Sequence, residues 1–173
     1  MQPAIAIAVV TTVAALLIMA GEAVLSAFNE KLLRARGAIE PEGDVIGAMR
    51  WAYPGAFVLM GIEGAVTGPA PPNVMMAGLA LFGLAKALKV WAISSLGSRW
   101  TYRVLVVPGE PLVTSGPYQF ISHPNYLAVV GEIASVAAIA WAPITGVLAT
   151  FGFGWLMILR MRVEDRALGR GAK

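Results

Sequence analysis

Two short passages carry most of the residues that could do chemistry. Residues 110–126, EPLVTSGPYQFISHPNY, hold the chain's single histidine, His123, together with Tyr118 and Tyr126. Residues 160–165, RMRVED, bring two arginines and two carboxylates to the end of an apolar run. Proline is favoured at the first position of a helix, where its missing N–H loses no partner. SHPNY therefore reads as a helix start, with His123 at the cap and Asn125 and Tyr126 in the first turn. Free N–H groups and the helix dipole make such an end a site for a carboxylate or phosphate; the plainer reading is an interfacial histidine at a helix start. GPYQF adds a turn at Gly116 and Pro117, then aromatic faces at Tyr118 and Phe120 that attract sulfonium or ammonium cations. An interfacial aromatic belt would look the same. Arg160 and Glu164 stand four residues apart, the spacing of an ion pair on one helical face. At a membrane-embedded helix end the same residues are functional candidates. Glu164 suits an amino group, and Arg160 suits an acidic acceptor.

The elements that must position these residues are apolar. Of 173 residues, 58% are hydrophobic and 13% charged, about half the usual charged share of ~25%. The length fits one domain, residues 1–173. With no cysteine and one histidine, thiolate nucleophiles, disulfides and a zinc or iron site are all unsupported. No basic run points to nucleic acid.

Apolar segments cover residues 3–28, 45–66, 74–95, 126–141 and 144–159. The first lacks a positively charged start, so it reads as a retained span and not a signal peptide. The last two have about 16 residues each, short of the about 20 needed to span, and suit a close helical hairpin turning at Pro143. Backbone groups in lipid need internal partners, so these segments must be helices. The β-branched run at residues 104–107, VLVV, is too short to span and should lie at the membrane surface. The expectation is an all-α integral membrane protein of about five transmembrane helices.

Lys31, Arg34, Arg36, Arg99, Arg103, Arg162, Arg166, Arg170 and Lys173 fall in the first inter-span loop, the long loop and the tail. The positive-inside rule then puts the N-terminus outside, and the C-terminus and both motif passages on the cytoplasmic side. Glu22, Lys86, Lys89 and Glu132 lie inside spans, where a Lys–Glu pair would lower the cost of burial. Glu63 falls toward the outer face and reads as wet and incidental.

LVTSGPYQFISHPNY, followed by an apolar hairpin and R-x-x-x-E-D-x-x-L, resembles the isoprenylcysteine carboxyl methyltransferase family, more loosely the phospholipid methyltransferases. The match is strong over residues 99–168, which the resemblance makes the cofactor-binding and catalytic part. It implies a small multispan membrane enzyme using S-adenosylmethionine. The usual signature is G-x-Y-x-x-x-R-H-P-x-Y with a C-terminal pair of glutamates. By that resemblance, Glu110, Pro111, Leu112 and Val113 line the cofactor, and Tyr118, His123, Pro124, Asn125 and Tyr126 bind it. Glu164 completes the cofactor site, Arg103 adds a polar contact, and Arg160 faces the acceptor; Arg160 and Glu164 are the catalytic pair. Three features depart from the pattern. Ser122 replaces the usual arginine, Asp165 replaces the second glutamate, and the chain stops soon after Leu168.

The function this implies is O-methylation of a lipophilic acceptor drawn from the bilayer. The acceptor would be a carboxylate, as in isoprenylcysteine, or the enol or phenol of a polyketide-derived lipid, since GSRWTYRVLVVPGEPLV and the short tail resemble a bacterial branch found beside polyketide synthases. The rivals are phospholipid N-methylation, a sterol-reductase-like nicotinamide enzyme, and a small membrane scaffold or transporter subunit built on Lys86, Lys89 and Glu132.

Overall fold

The computed structural model describes residues 3–169; Arg170 and Lys173, counted above for orientation, lie outside them. Five helices account for most of the chain: α1 (Pro3–Ala35), α2 (Ile46–Thr67), α3 (Pro72–Leu96), α4 (Pro124–Ala140) and α5 (Pro143–Ala167). Among the described residues there is no strand. The VLVV run instead contributes one antiparallel bridge, in which Val106 and Ile39 exchange backbone bonds of 3.0 and 2.8 Å.

Among the described residues, three helices are long and apolar enough to cross a membrane: α1, α3 with its continuation to Arg99, and α5. The short fifth segment was an underestimate. The helix continues through RMRVEDRA, so α5 reaches 25 residues and its charged end is a helical face in its own right. α4 has 17 residues, about 25 Å of helix at ~1.5 Å per residue, and stays below the ~30 Å of a bilayer core. The hairpin expected at Pro143 is present. Trp141 adopts the left-handed conformation (φ 56°), the N–H of Ala142 bonds the carbonyl of Ala137 at 2.9 Å, and Pro143 opens α5.

α3 packs along α4 and α1 along α2, while α5 closes against α2 and α4. In lipid, close packing of small residues must replace much of the hydrophobic drive between helices. Gly64 accordingly lies against the carbonyl of Ala140, and Gly78 against Ser135 and Ile139, with no space for a side chain. Met60, Phe57, Ile133, Val136 and Phe153 fill the centre. Leu17, Val24, Leu84, Leu148 and Phe151 point outward, the apolar exterior a bilayer requires.

Four helices also meet at a buried ionic cluster. Lys89 of α3 lies 2.6 Å from Glu22 of α1 and 3.1 Å from Glu132 of α4, and Lys86 lies 3.2 and 2.9 Å from the same two carboxylates. Tyr53 of α2 donates to Glu132 at 2.5 Å. The Lys–Glu pairing considered for the third span thus exists toward both neighbours. One oxygen of Glu132, Oε1, has no hydrogen-bond partner, so its 2.9 Å contact with Lys86 is electrostatic.

Glu63 is not incidental. Its carboxylate accepts from the backbone N–H groups of Ile144 (2.9 Å) and Thr145 (2.7 Å), and from the Thr145 hydroxyl, capping α5 from α2. Sequence alone hid this because the capping residue lies some eighty positions from the helix it caps.

Two stability predictions follow. Glu63→Ala should lower stability by about 1 kcal/mol, the usual cost of a lost helix cap. Lys89→Met should cost about 3–5 kcal/mol, because it leaves two buried carboxylates with only Lys86 to compensate them. Thermal unfolding of the purified variants in detergent measures both. A Lys89→Met protein as stable as the parent would contradict the account of the cluster.

Candidate functional site

His123 caps α4 through its backbone, with Pro124 buried at the first helical position, but its ring makes no cap bond. The ring reaches α5 instead: Nε2 lies 3.0 Å from Asp165 Oδ1, and Nδ1 lies 3.7 Å from Glu164. One turn into α4, the Tyr126 hydroxyl donates to Glu164 at 2.5 Å and accepts from Arg160 Nε at 3.1 Å. The His123 and Tyr126 rings stack, 5.4 Å apart and 11° from parallel. Asp165 therefore reaches the histidine despite being one methylene shorter than glutamate.

Arg160 does not pair with Glu164, as the four-residue spacing suggested. It is 4% exposed, and its carboxylate partner is Asp44, at 3.6 Å. Its Nη2 also donates to the carbonyl of Tyr102, and Nη1 lies 3.7 Å from Met49 Sδ. Asp44 in turn accepts from the backbone N–H groups of Ile46 (3.2 Å) and Val104 (3.4 Å), tying the start of α2 to the long loop. Sequence reasoning missed Asp44 and Tyr102. Asp44 did stand in the acidic, turn-rich AIEPEGD before an apolar run, but nothing local marked either residue as an arginine partner.

Tyr102 crosses the space between these elements. Its N–H donates to Ser26 Oγ (2.8 Å), and its hydroxyl lies 3.2 Å from the carbonyl of Met19 and 3.3 Å from Glu22. Burial, reinforced by the negative charge of Glu22, pushes this phenol well above its ordinary range, so it remains a neutral donor. Trp100, 2% exposed, is held by Asn29 through its carbonyl (2.8 Å) and donates from its indole to Asn125 (3.3 Å).

Three cavities meet these residues. The largest, about 520 Å3, lies among α1, α2, α4 and α5; it is lined by apolar side chains such as Leu16, Met49 and Met157, with Arg160, Tyr126 and Asn125 in its wall. A second, of about 90 Å3, is lined by Tyr118, Ser122, His123, Asn125, Tyr126, Glu164, Arg103 and Arg160. A third, of about 120 Å3, is lined by Glu110, Pro111, Leu112 and Val113 with Tyr118, Ser122 and Glu164. Arg160, Tyr126 and Asn125, with Trp100, Thr101 and Arg103, thus form a partition between the large apolar chamber and the smaller, more polar one.

The residues expected at one site converge here, apart from Pro124, which is buried and lines none of the three cavities. Glu110 and Arg103, like Arg160 and His123, already have ionic partners. Glu110 pairs with Arg36 and, at 3.1 Å, with Arg99. Arg103 pairs with Glu40 (2.6 Å) and Glu30 (3.4 Å). Phe120 is 74% exposed and does not line these cavities. The tight turn at Gly116 (φ 61°) packs against Ser95 and Trp91, where a Cβ would collide, and it sets Tyr118 toward the two smaller cavities.

The Arg34–Glu40–Arg103 clamp ties the first loop to the long loop. Burial alone would raise the Glu40 carboxyl, but hydrogen bonds from Arg34 and Arg103 outweigh it and hold the group below its ordinary value. The bond to Glu40 likewise raises Arg103.

Comparison with known proteins gives the following. The model of the isoprenylcysteine carboxyl methyltransferase family matches residues 76–170. A Bacillus subtilis (strain 168) protein, "Uncharacterized protein YpbQ", is 32% identical over 154 residues, covering 86% of this chain and 89% of its own length. An uncharacterized Haemophilus influenzae protein is 23% identical over 145 residues, covering 83% and 84% respectively. No solved structure matches the chain.

Because Glu40 is lowered, the clamp should be complete above about pH 4.5 and lost as the pH falls through the lowered value. Limited proteolysis of the first loop across this range should show acid-induced cutting in the parent. The Glu40→Gln protein should be cut to the same extent at every pH.

Proposed function

We propose, on the ground that the chain belongs to the isoprenylcysteine carboxyl methyltransferase family, that it uses S-adenosylmethionine to methylate an oxygen of a lipophilic acceptor. Family membership together with three bilayer-length apolar helices makes it a membrane methyltransferase. The single observation that carries the finer reading is the shared wall. Arg160 and Tyr126 face both a chamber suited to a lipid and a polar cleft. The reading includes five spans, with the N-terminus outside and the polar cleft on the cytoplasmic side.

The residues of the cleft fit the cofactor. Tyr118 and Tyr126 offer electron-rich faces to a cation, Glu164 offers a carboxylate to an amino group, and Arg99, which pairs with Glu110, brings a guanidinium to both cavities. The two small cavities share eight lining residues, among them Leu96, Leu105 and Ser122. Each is well under the ~300–1,000 Å3 typical of ligand sites, so a nucleoside-sized ligand requires them to merge. In this reading Glu110, Pro111, Leu112 and Val113 line the cofactor, and Tyr118, His123, Pro124, Asn125, Tyr126, Arg103 and Glu164 hold it. Ser122, in place of the family's arginine, leaves the rim of the cleft less positive.

When bound, the cofactor supplies a methyl group already activated on a sulfonium, so the protein's task is alignment. Well-oriented reactants can lower a barrier by several kcal/mol, up to about 10. Arg160 supplies that orientation for the acceptor. Its guanidinium is fixed by Asp44, the Tyr102 carbonyl and the Tyr126 hydroxyl, and it directs an anionic oxygen to the partition. Tyr126 couples Arg160 to Glu164, and His123 holds the Glu164–Asp165 pair in place. The apolar chamber keeps water from the reacting oxygen. The guanidinium N–H donors in that wall favour an oxygen acceptor over a phospholipid amine, which would also need a proton removed.

Transfer of label from methyl-labelled S-adenosylmethionine into lipid, in membranes containing the chain, is the test. Glu164→Ala and His123→Ala should each reduce transfer by about 100-fold or more, the penalty of misplacing reactants by ~1 Å. Full activity in both variants would contradict the site assignment.

A further inference from the structure

The ionic cluster of α1, α3 and α4 does not merely brace the helices. Lys89, 2% exposed, and Tyr53 also line the 520 Å3 chamber, and Tyr102 joins its wall. A chamber built for a plain hydrocarbon tail has no use for an ammonium group, and an intramembrane charge is costly wherever it is kept. A clamp between helices needs no such exposure, since replacing a buried ion pair by apolar residues is often neutral or stabilising.

The ammonium of Lys89 has three N–H donors. Two go to Glu22 and Glu132, at 2.6 and 3.1 Å; the third has no oxygen acceptor beside it, only the Tyr53 ring, whose centroid lies 5.8 Å from Nζ, and both residues line the chamber. The cluster contains Lys86, Lys89, Glu22 and Glu132, two positive and two negative charges, so it is neutral as a unit and suits an uncharged guest.

The chamber therefore has two polar ends with apolar walls between them. Tyr126, at the Arg160 end, and Glu132, at the Lys89 end, are six residues apart on α4, about 9 Å at ~1.5 Å per residue. Tyr102 spans the same gap independently: its carbonyl accepts from Arg160, and its hydroxyl lies 3.3 Å from Glu22.

We infer that the chamber recognises two oxygens of its acceptor, the one that is methylated at Arg160 and Tyr126, and a second, neutral oxygen that accepts from Lys89, at the end of the chamber about 9 Å further along the α4 axis. The acceptor class is then an oxygenated lipophile bearing a carbonyl, hydroxyl or ether in the body of the molecule. A head group on an all-hydrocarbon tail does not satisfy the far end. This inference rests on the methyl-transfer reading above and narrows its substrate.

The experiment incubates the purified full chain, in lipid vesicles, with methyl-labelled S-adenosylmethionine and the total lipid extract of cells that carry it, then fragments the labelled products by mass spectrometry. The expected product has a neutral oxygen function in the body of the molecule, separate from the methylated group. A labelled product whose oxygens all belong to the methylated group overturns this inference and leaves methyl transfer standing. The absence of any labelled product overturns both.

A double variant separates recognition from bracing. Lys89→Met/Glu132→Gln keeps the cluster neutral with Lys86 and Glu22 in place. The parent should prefer the oxygenated acceptor over a synthetic analogue lacking the distal oxygen by about 10-fold or more in kcat/KM, the factor given by ~1.4 kcal/mol. The double variant should bring that ratio close to one. An equal loss on both acceptors, with the ratio unchanged, would mean a purely structural cluster and would overturn the inference.

Discussion

In hydrocarbon no charge can be kept alone, and this constraint organises the protein. Each charged side chain that the fold takes in has an opposite charge beside it. Lys86 and Lys89 share Glu22 and Glu132, and Arg160 has Asp44. Because the partners come from different helices and from the loops between them, neutralising each charge also fixes how those elements sit together. Tyr102 joins the two assemblies, with its carbonyl on Arg160 and its hydroxyl beside Glu22.

The same pairing accounts for the cavities. Helices held together by ionic contacts at their interfaces need not fill every space with side chains, and the 520 Å3 chamber lies between the two charged assemblies. Its wall toward the loops is the Arg160–Tyr126–Asn125 partition. Behind that wall the long loop, pinned by Trp100 to Asn29 and Asn125, encloses the polar cleft. An apolar-lined chamber and a loop-facing cleft sharing one wall form a natural arrangement for joining an apolar and a polar reactant.

Much of this was legible in sequence because it is local. Apolar runs of the right length gave the helices. His-Pro gave the start of α4 at the right residue, and Pro143 gave the hairpin. The passage at residues 110–126 and the charged end of α5 do converge on the same cavities. What was not legible depends on partners distant in the chain. The Arg160–Glu164 spacing allowed an i, i+4 pair, but Asp44, positioned by the start of α2, and Tyr126 take those contacts instead. Glu63 seemed incidental because the helix it caps begins only at Pro143. The length of α5 was underestimated because charged residues lower hydropathy without ending a helix.

The central claim is that the polar cleft behind the Arg160–Tyr126 wall holds the methyl donor while the apolar chamber holds the acceptor. An experimental structure with S-adenosylhomocysteine bound tests it most directly. The account predicts the ligand between the loop of residues 97–123 and the end of α5, with its sulfur facing the wall formed by Arg160 and Tyr126. A ligand bound elsewhere, or within the 520 Å3 chamber itself, would contradict it.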